Sequence, residues 1–319
     1  MAEANKAPPL RWLVSGTVQQ RQIARRYWLR DPVMGLLNVG IHVALRYTPI
    51  DVCSYLGSLM GALAQLRMPE LNNRARKVWM RLRPQEADPA LVEATLNRLC
   101  RHIGRTLAEF SVLDRMRRKG RIQIEGLEYP AAARAAGKRI VFLAVHLGNW
   151  EAIGSVLVAH GYHGAGVYEV PENRFEHWIA RDFRKRYGAK LVPQGSTGAR
   201  EALRTLIGNE VMLIFIDEFF AGHVNAPAFG RPIPRGGNIA FAARLAAIAD
   251  AEVIPIYCLR LNDRAQFRVT FLPPMPYLRG GDRKADLAAN VAMTNALLER
   301  LIQPNLDQWY YTNAIELDA

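Results

Sequence analysis

From residue 121 onward the chain alternates between two hydrophobic periods, and that alternation restricts its fold more than any other feature. Ile122-Gln123-Ile124 alternates as a strand does. A short helical segment at residues 129–136 precedes an unbroken apolar run at 140–145, long enough for a buried strand. Apolar residues at helical spacing follow in Trp150, Ile153 and Leu157. Further strands are predicted at 164–168, 190–193, 211–216, 252–257 and 267–272. Helices are predicted at 173–187, from a cap at Ser196 or Thr197, at 238–249 and at 284–302, with Gly188 and Gly208 placed as stops. Strands alternating with helices predict an α/β fold: a mixed, largely parallel sheet covered by helices on both faces.

The first 120 residues read differently. Residues 1–31 are polar, basic and aromatic, with Trp12, Arg21, Arg25, Arg26, Tyr27, Trp28 and Arg30. Two stretches without Asp, Glu, Lys or Arg follow, residues 32–45 and 52–66, separated by Tyr47-Thr48-Pro49-Ile50. Each is shorter than the ~18 to 20 residues of a spanning helix. They predict a helical hairpin that lies on or dips into one leaflet. Gly57 and Gly61 on one face permit close helix contact. Residues 70–83 are strongly basic. Residues 91–116 read as one amphipathic helix with Val92, Leu96, Leu99, Ile103, Leu107 and Phe110 on its apolar side. The expected division is a basic helical, membrane-associating region at 1–120 and an α/β catalytic domain at 121–319.

Charge supports a polyanionic partner for the first region. The net charge is +13, and residues 1–121 hold 21 Lys and Arg against 9 Asp and Glu, whereas the remainder is nearly balanced. An anionic membrane surface or an acidic protein fits this asymmetry. Nucleic acid is not expected as a partner, since no recognisable nucleic-acid module accompanies the charge. Three widely spaced cysteines (Cys53, Cys100 and Cys258) predict neither a disulfide framework nor a zinc site and fit a reducing compartment. No secretory leader pattern opens the sequence.

The chemistry concentrates at residues 140–154, I-V-F-L-A-V-H-L-G-N-W-E-A-I-G. His146 stands at the end of a predicted strand, Leu147-Gly148-Asn149 supplies a turn, and Glu151 opens the next helix. In open α/β sheets, ligands bind outside the carboxyl ends of the strands. A carboxylate that accepts the proton of one imidazole nitrogen fixes the tautomer and leaves the other nitrogen free to deprotonate a hydroxyl. Such a pair suits a hydroxyl attacking a carbonyl without a covalent enzyme intermediate. No G-x-S-x-G elbow, H-E-x-x-H, Walker loop or G-x-G-x-x-G occurs, which weakens serine hydrolase, metalloprotease, nucleotidase and dehydrogenase readings.

H-L-G-N-W-E resembles the His-x-Gly-Asn-Trp-Glu signature of the bacterial lipid A biosynthesis acyltransferases, the lauroyl and myristoyl transferases, and more distantly the glycerolipid acyltransferases with their His-x4-acid motif. The resemblance extends from about residue 31 to residue 311. It implies His146 as general base and Glu151 as the residue that orients it. Amides near Asn149 and Trp150, or a nearby cation, would stabilise the oxyanion. Val167-Tyr168 resembles the family's Val-Tyr-Arg-Pro element, with Glu169 where the family has Arg. Arg184 matches its Arg-x3-Gly. Asp217-Glu218 resembles its Asp-Gln at a strand end, with Glu218 replacing Gln; Asp217 is expected at the same sheet edge as His146 if the strands are parallel. Arg231 and Arg235 on a Pro/Gly-rich loop are anion-contact candidates, and Gln308-Trp309-Tyr310-Tyr311 resembles the family's terminal Gln-Trp-Tyr-Trp, expected to pack rather than react. Asn149, Trp150, Tyr168, Arg184, Asp217, Glu218 and Arg231 are thus the expected substrate-binding set, with no metal.

These features predict transfer of a fatty acyl chain from a thioester to a hydroxyl of a membrane lipid acceptor, lipid A precursor-like or lysophospholipid-like. The resemblance implies acyl-acyl carrier protein or acyl-CoA as co-substrate and no other cofactor. It places the protein at the cytoplasmic face of a bacterial inner membrane, peripheral or monotopic. The rival expectation is a non-catalytic lipid-binding or membrane-tethering protein on the same fold.

Overall fold

A computed structural model describes residues 7–168, 175, 190–193, 195–220 and 222–317. The chain enters through helices α1 (Trp12–Ser15) and α2 (Val18–Arg25), and a π-helical turn, Arg26–Arg30, leads on into α3 (Asp31–Tyr47). Thr17 caps α2 reciprocally with Gln20. Helix α4 (Ile50–Arg67) follows after Thr48-Pro49, so the two uncharged stretches form the expected pair of helices. Next come α5 (Pro69–Leu82), α6 (Pro89–Glu109) and α7 (Leu113–Arg118).

Helix α4 packs on α6 with almost no side chain between them. A Cβ at Gly61 would lie 2.0 Å from the Cys100 carbonyl oxygen, and one at Gly104 would lie 2.2 Å from that of Gly57. The glycines therefore permit backbone approach, as the small-residue face predicts. The expected hairpin does not form, since α4 packs on α6 and not along α3, and the outer sides of both helices stay apolar and uncovered: Val33, Leu36, Leu63 and Leu66 are between 61 and 79% exposed. Among the described residues, no helix is long and apolar enough to cross a membrane.

The expected single helix at 91–116 is two. Ser111 and Val112 bond back three residues, to the carbonyls of Ala108 and Glu109, instead of four. That tightening closes α6 and redirects the chain into α7. Leu107 is also not on the buried side; it is 61% exposed. At that turn the inward residues are Arg105, Thr106, Ala108 and Glu109.

Residues 122 to 302 build the α/β part. Its order is β1 (Ile122–Glu125), α8 (Glu128–Ala135), β2 (Arg139–Ala144), α9 (Glu151–Ala159), β3 (Gly164–Tyr168), β4 (Lys190–Pro193), α10 (Ser196–Ile207), β5 (Val211–Phe215), a small hairpin of β6 (Phe219–Phe220) and β7 (His223–Val224), α11 (Gly237–Ala249), β8 (Ala251–Asn262), β9 (Gln266–Phe271) and α12 (Arg283–Ile302). Among the described residues, seven strands form one sheet in the order β1-β9-β8-β2-β5-β3-β4, parallel throughout except for the antiparallel β8–β9 pair. The fold is the mixed, largely parallel α/β sheet expected.

Three details depart from the sequence reading. Strand β8 is twice the expected length because it serves two partners: residues 251–256 pair with β2, and residues 256–262 pair with β9. The β6–β7 hairpin was not predicted. Helix α10 has Gly195, not a hydroxyl residue, at its cap position. The helix expected at 173–187 lies outside the described residues, Phe175 apart.

Strand β2 shows why the sheet needs helices on both sides. Val141 and Leu143 pack toward one cluster with Leu206, Ile239, Ala243 and Leu298. Ile140, Phe142 and Ala144 pack toward the other with Met116, Ile153 and Leu157. A strand buried on both faces reads as a continuous apolar run instead of an alternating one.

Candidate active site

His146 lies just past the C-terminal end of β2, and Asp217 just past that of β5. These strands are parallel neighbours, with Ala144 opposite Phe215. Equal overrun on adjacent parallel strands brings the two side chains together. Asp217 Oδ1 is 2.8 Å from His146 Nδ1, and Oδ2 accepts the His146 backbone N–H at 2.9 Å. The Trp309 indole N–H donates to Oδ2 at 2.8 Å. The Asp217 side chain is fully buried, and that of His146 is 17% exposed. A buried carboxylate is tolerated when donors surround it, and three do so here. An ionised carboxylate only accepts, so in a neutral imidazole paired with it Nδ1 carries the proton and Nε2 the lone pair. Among the described residues, Nε2 has no hydrogen-bond partner.

The expected pairing with Glu151 is not what the contacts show: the His146 ring meets Asp217. Glu151 is half-buried in the first turn of α9 and makes no hydrogen bond to His146. The reason is geometric. The turn through Leu147-Gly148-Asn149 carries Glu151 onto a new helix axis, while the neighbouring strand delivers its acid directly alongside the imidazole.

The C-terminal segment closes the site. Gly148 donates to the Gln308 carbonyl and Tyr310 to the His146 carbonyl, each at 3.0 Å, so residues 308–310 run antiparallel to the His146 turn. Gly148 takes φ +56, and a Cβ there would lie 2.7 Å from the Cys258 carbonyl oxygen on β8. Glycine thus serves both the turn and the close approach. Aromatic rings enclose the imidazole: Phe215 at 4.3 Å between centroids, Tyr311 at 5.1 Å, Trp150 at 5.4 Å and Tyr310 at 6.4 Å. Burial raises the Tyr310 hydroxyl above its ordinary range. The terminal motif therefore does more than pack, since Trp309 holds the carboxylate that holds the histidine.

The remaining predicted residues divide. Trp150 stands at the N-cap position of α9, and its ring meets that of His146 edge-on. Asn149 is fully buried, and its side-chain amide donates to Glu109. Glu218 is buried behind Asp217, and its carboxylate accepts the Asn238 backbone N–H at 2.6 Å at the start of α11. The Arg231 guanidinium donates to the carbonyls of Val224, Pro227 and Ala228, so these bonds turn it into its own loop. Burial and the nearby Arg81 lower its pKa. Tyr168 ends β3, and Arg184 lies outside the described residues.

Cys258 borders the His146 turn but offers no nucleophile. Burial pushes its thiol up to about 12, and Cys53 is pushed up to about 11 for the same reason. What the site offers is an imidazole set beside a carboxylate and enclosed by aromatic rings. An imidazole so placed is able to accept a proton from a hydroxyl.

Residues 22–313 match the family model described as bacterial lipid A biosynthesis acyltransferase. No curated protein matches the chain.

Proposed function

The chain belongs to the bacterial lipid A biosynthesis acyltransferase family, and we propose that it moves a fatty acyl chain from acyl-acyl carrier protein or acyl-CoA to a hydroxyl of a lipid A precursor-like or lysophospholipid-like acceptor. The observation that carries this reading is the 2.8 Å contact between His146 Nδ1 and Asp217, with Nε2 unpaired among the described residues. In the proposed reaction Nε2 takes the acceptor's hydroxyl proton as the oxygen attacks the thioester carbonyl. Asp217 stabilises the imidazolium that forms. The tetrahedral oxyanion then collapses, the C–S bond breaks, and the leaving sulfur takes the proton from Nε2, giving an ester and a thiol.

The oxyanion needs donors. The Gly148 amide is spent on Gln308, and the Asn149 amide faces the Cys258 sulfur. The Trp150 and Glu151 amides at the start of α9 have no carbonyl partner among the described residues and are the proposed donors. Glu151 adds its charge to that helix turn. The aromatic rings exclude water and offer the acyl chain an apolar wall.

Residues 1–120 are the proposed membrane-associating part, working at the cytoplasmic face of a bacterial inner membrane in a peripheral or monotopic manner. Support comes from the uncovered apolar side of α3 and α4 and from the basic surplus around it. Leu36→Asp combined with Leu63→Asp alters two exposed positions, so folding should survive. The variant should lose most flotation with phosphatidylglycerol vesicles. Flotation equal to the parent's would remove the membrane assignment.

The function is tested by following a labelled acyl group from its thioester. Acyl carrier protein and CoA donors are offered against a lipid A precursor and a lysophospholipid. Label in either lipid supports the proposal, and the productive pair names donor and acceptor. Lipid binding without label transfer would instead favour a tethering protein.

A further inference from the structure

A second buried charge pair lies beside the His146 turn, and the chemistry above does not use it. Glu109 ends α6, 37 residues before His146. Its side chain is fully buried, and that of Arg260 on β8 is 1% exposed. The two meet through both oxygens: Arg260 Nη1 donates to Oε1 at 2.8 Å, and Nη2 to Oε2 at 2.6 Å. Ser54 Oγ of α4 donates to Oε1 at 2.6 Å, and Asn149 Nδ2 to Oε2 at 3.0 Å. One turn earlier on α6, Thr106 Oγ1 donates to the Gly148 carbonyl at 3.0 Å. Positions three apart on a helix share a face. Hence Thr106 and Glu109 grip adjacent residues of the turn that carries His146.

Stability alone does not call for this arrangement. A buried ion pair replaced by apolar residues of similar volume is often neutral or stabilising, because desolvation offsets the Coulomb gain. What apolar residues cannot replace is the acceptor for Asn149 Nδ2. Asn149 Oδ1 is itself buried without a partner, so that amide bond is the only side-chain tie of Asn149 among the described residues. Asn149 stands between His146 and the proposed oxyanion donors of Trp150 and Glu151. Any shift in it moves base and donors relative to one another.

We infer that Glu109, held in place by Arg260, is a positioning residue for acyl transfer, fixing through Asn149 the geometry between His146 and the start of α9. This rests on the acyl-transfer reading. The test is the double substitution Glu109→Leu with Arg260→Met, which removes both charges together. Thermal unfolding, both KM values and kcat are measured with the labelled thioester. The midpoint should stay near the parent's and both KM values within about twofold. By contrast kcat should fall about 10- to 100-fold, as expected when reacting groups shift by a fraction of an ångström to an ångström.

Asn149→Ala approaches the same tie from the other side and leaves the ion pair intact. It should lower kcat similarly, and adding it to the double variant should lower kcat no further. Parent-like kcat in the folded double variant, or in Asn149→Ala if the double variant does not fold, overturns the positioning role. A parent chain that transfers no label overturns the acyl-transfer reading itself, and the positioning role with it.

Discussion

His146→Ala should fold as the parent does and transfer acyl groups about 10²- to 10⁴-fold more slowly, the usual contribution of a positioned general base. The side chain is partly exposed and bonds only to Asp217 through its ring, so its loss leaves the sheet intact. The backbone N–H of residue 146 still reaches Asp217 Oδ2, and Trp309 still donates there. The buried carboxylate therefore keeps two of its three donors. The loss should appear in kcat with little change in donor or acceptor KM, because the base acts on a proton that moves only in the transition state. Parent-like transfer by the folded variant would remove histidine from the chemistry.

Arg260→Met alone should destabilise the protein by about 3 to 5 kcal/mol, the cost of leaving one member of a buried ion pair without its partner. Glu109 would keep Ser54 and Asn149 as donors but lose its direct ion pair, with Arg105, bonded to the same Ser54 hydroxyl, as the nearby cation that stays. On a chain of this size that corresponds to a midpoint lower by on the order of 10 °C. Glu109→Leu added to it should recover most of the loss, since the uncompensated charge is then gone. Calorimetry of the parent and the single and double variants gives the comparison. Equal midpoints for parent and Arg260→Met would mean that the pair is not buried in solution.

Much of the architecture was legible because β2 and β5, in the middle of the sheet, are unbroken apolar runs, while β9 alternates apolar and polar residues as a strand does. Strands β2, β3, β4, β5 and β9 fell within a residue of their expected bounds. The strand order was not legible, and the expectation of a His146–Glu151 contact follows from that. His-x4-Glu is a local pattern, and local spacing favours a local partner. Asp217 is 71 residues away, and only the placement of β5 beside β2 brings it to the imidazole. The sequence did indicate that Asp217 ends a strand on the same edge if the strands are parallel, and that condition is met. It lacked the register that puts Ala144 opposite Phe215.

Trp309 was read as packing because an indole in an aromatic run usually packs. Its N–H role depends on a buried acceptor that sequence does not locate. Glu109 was missed for a related reason. It falls on the inward side of α6 beside Thr106, where a carboxylate on a buried stripe is itself a signal, but the helix was expected to run on to residue 116 with Leu107 inward. Arg231 shows what sequence does not reveal about a loop cation. A cation on a Pro/Gly-rich loop looks available for anions, and sequence does not show that its Nε and Nη2 donate to the carbonyls of Val224, Pro227 and Ala228.

The central claim is that His146 and Asp217 act as one unit in acyl transfer, and single-turnover transfer rates of Asp217→Asn and Glu151→Gln test it most directly. An amide at 217 keeps the shape but withdraws the charge that supports the imidazolium, a change that costs up to about 10⁴-fold where such a pair drives acyl transfer. Asp217→Asn should therefore fall toward the rate of His146→Ala, and the two substitutions combined should be little slower than His146→Ala alone. Glu151→Gln should retain a rate well above both. A Glu151→Gln rate as low as that of His146→Ala, with Asp217→Asn near the parent, would contradict the pairing and return the orienting role to the local motif.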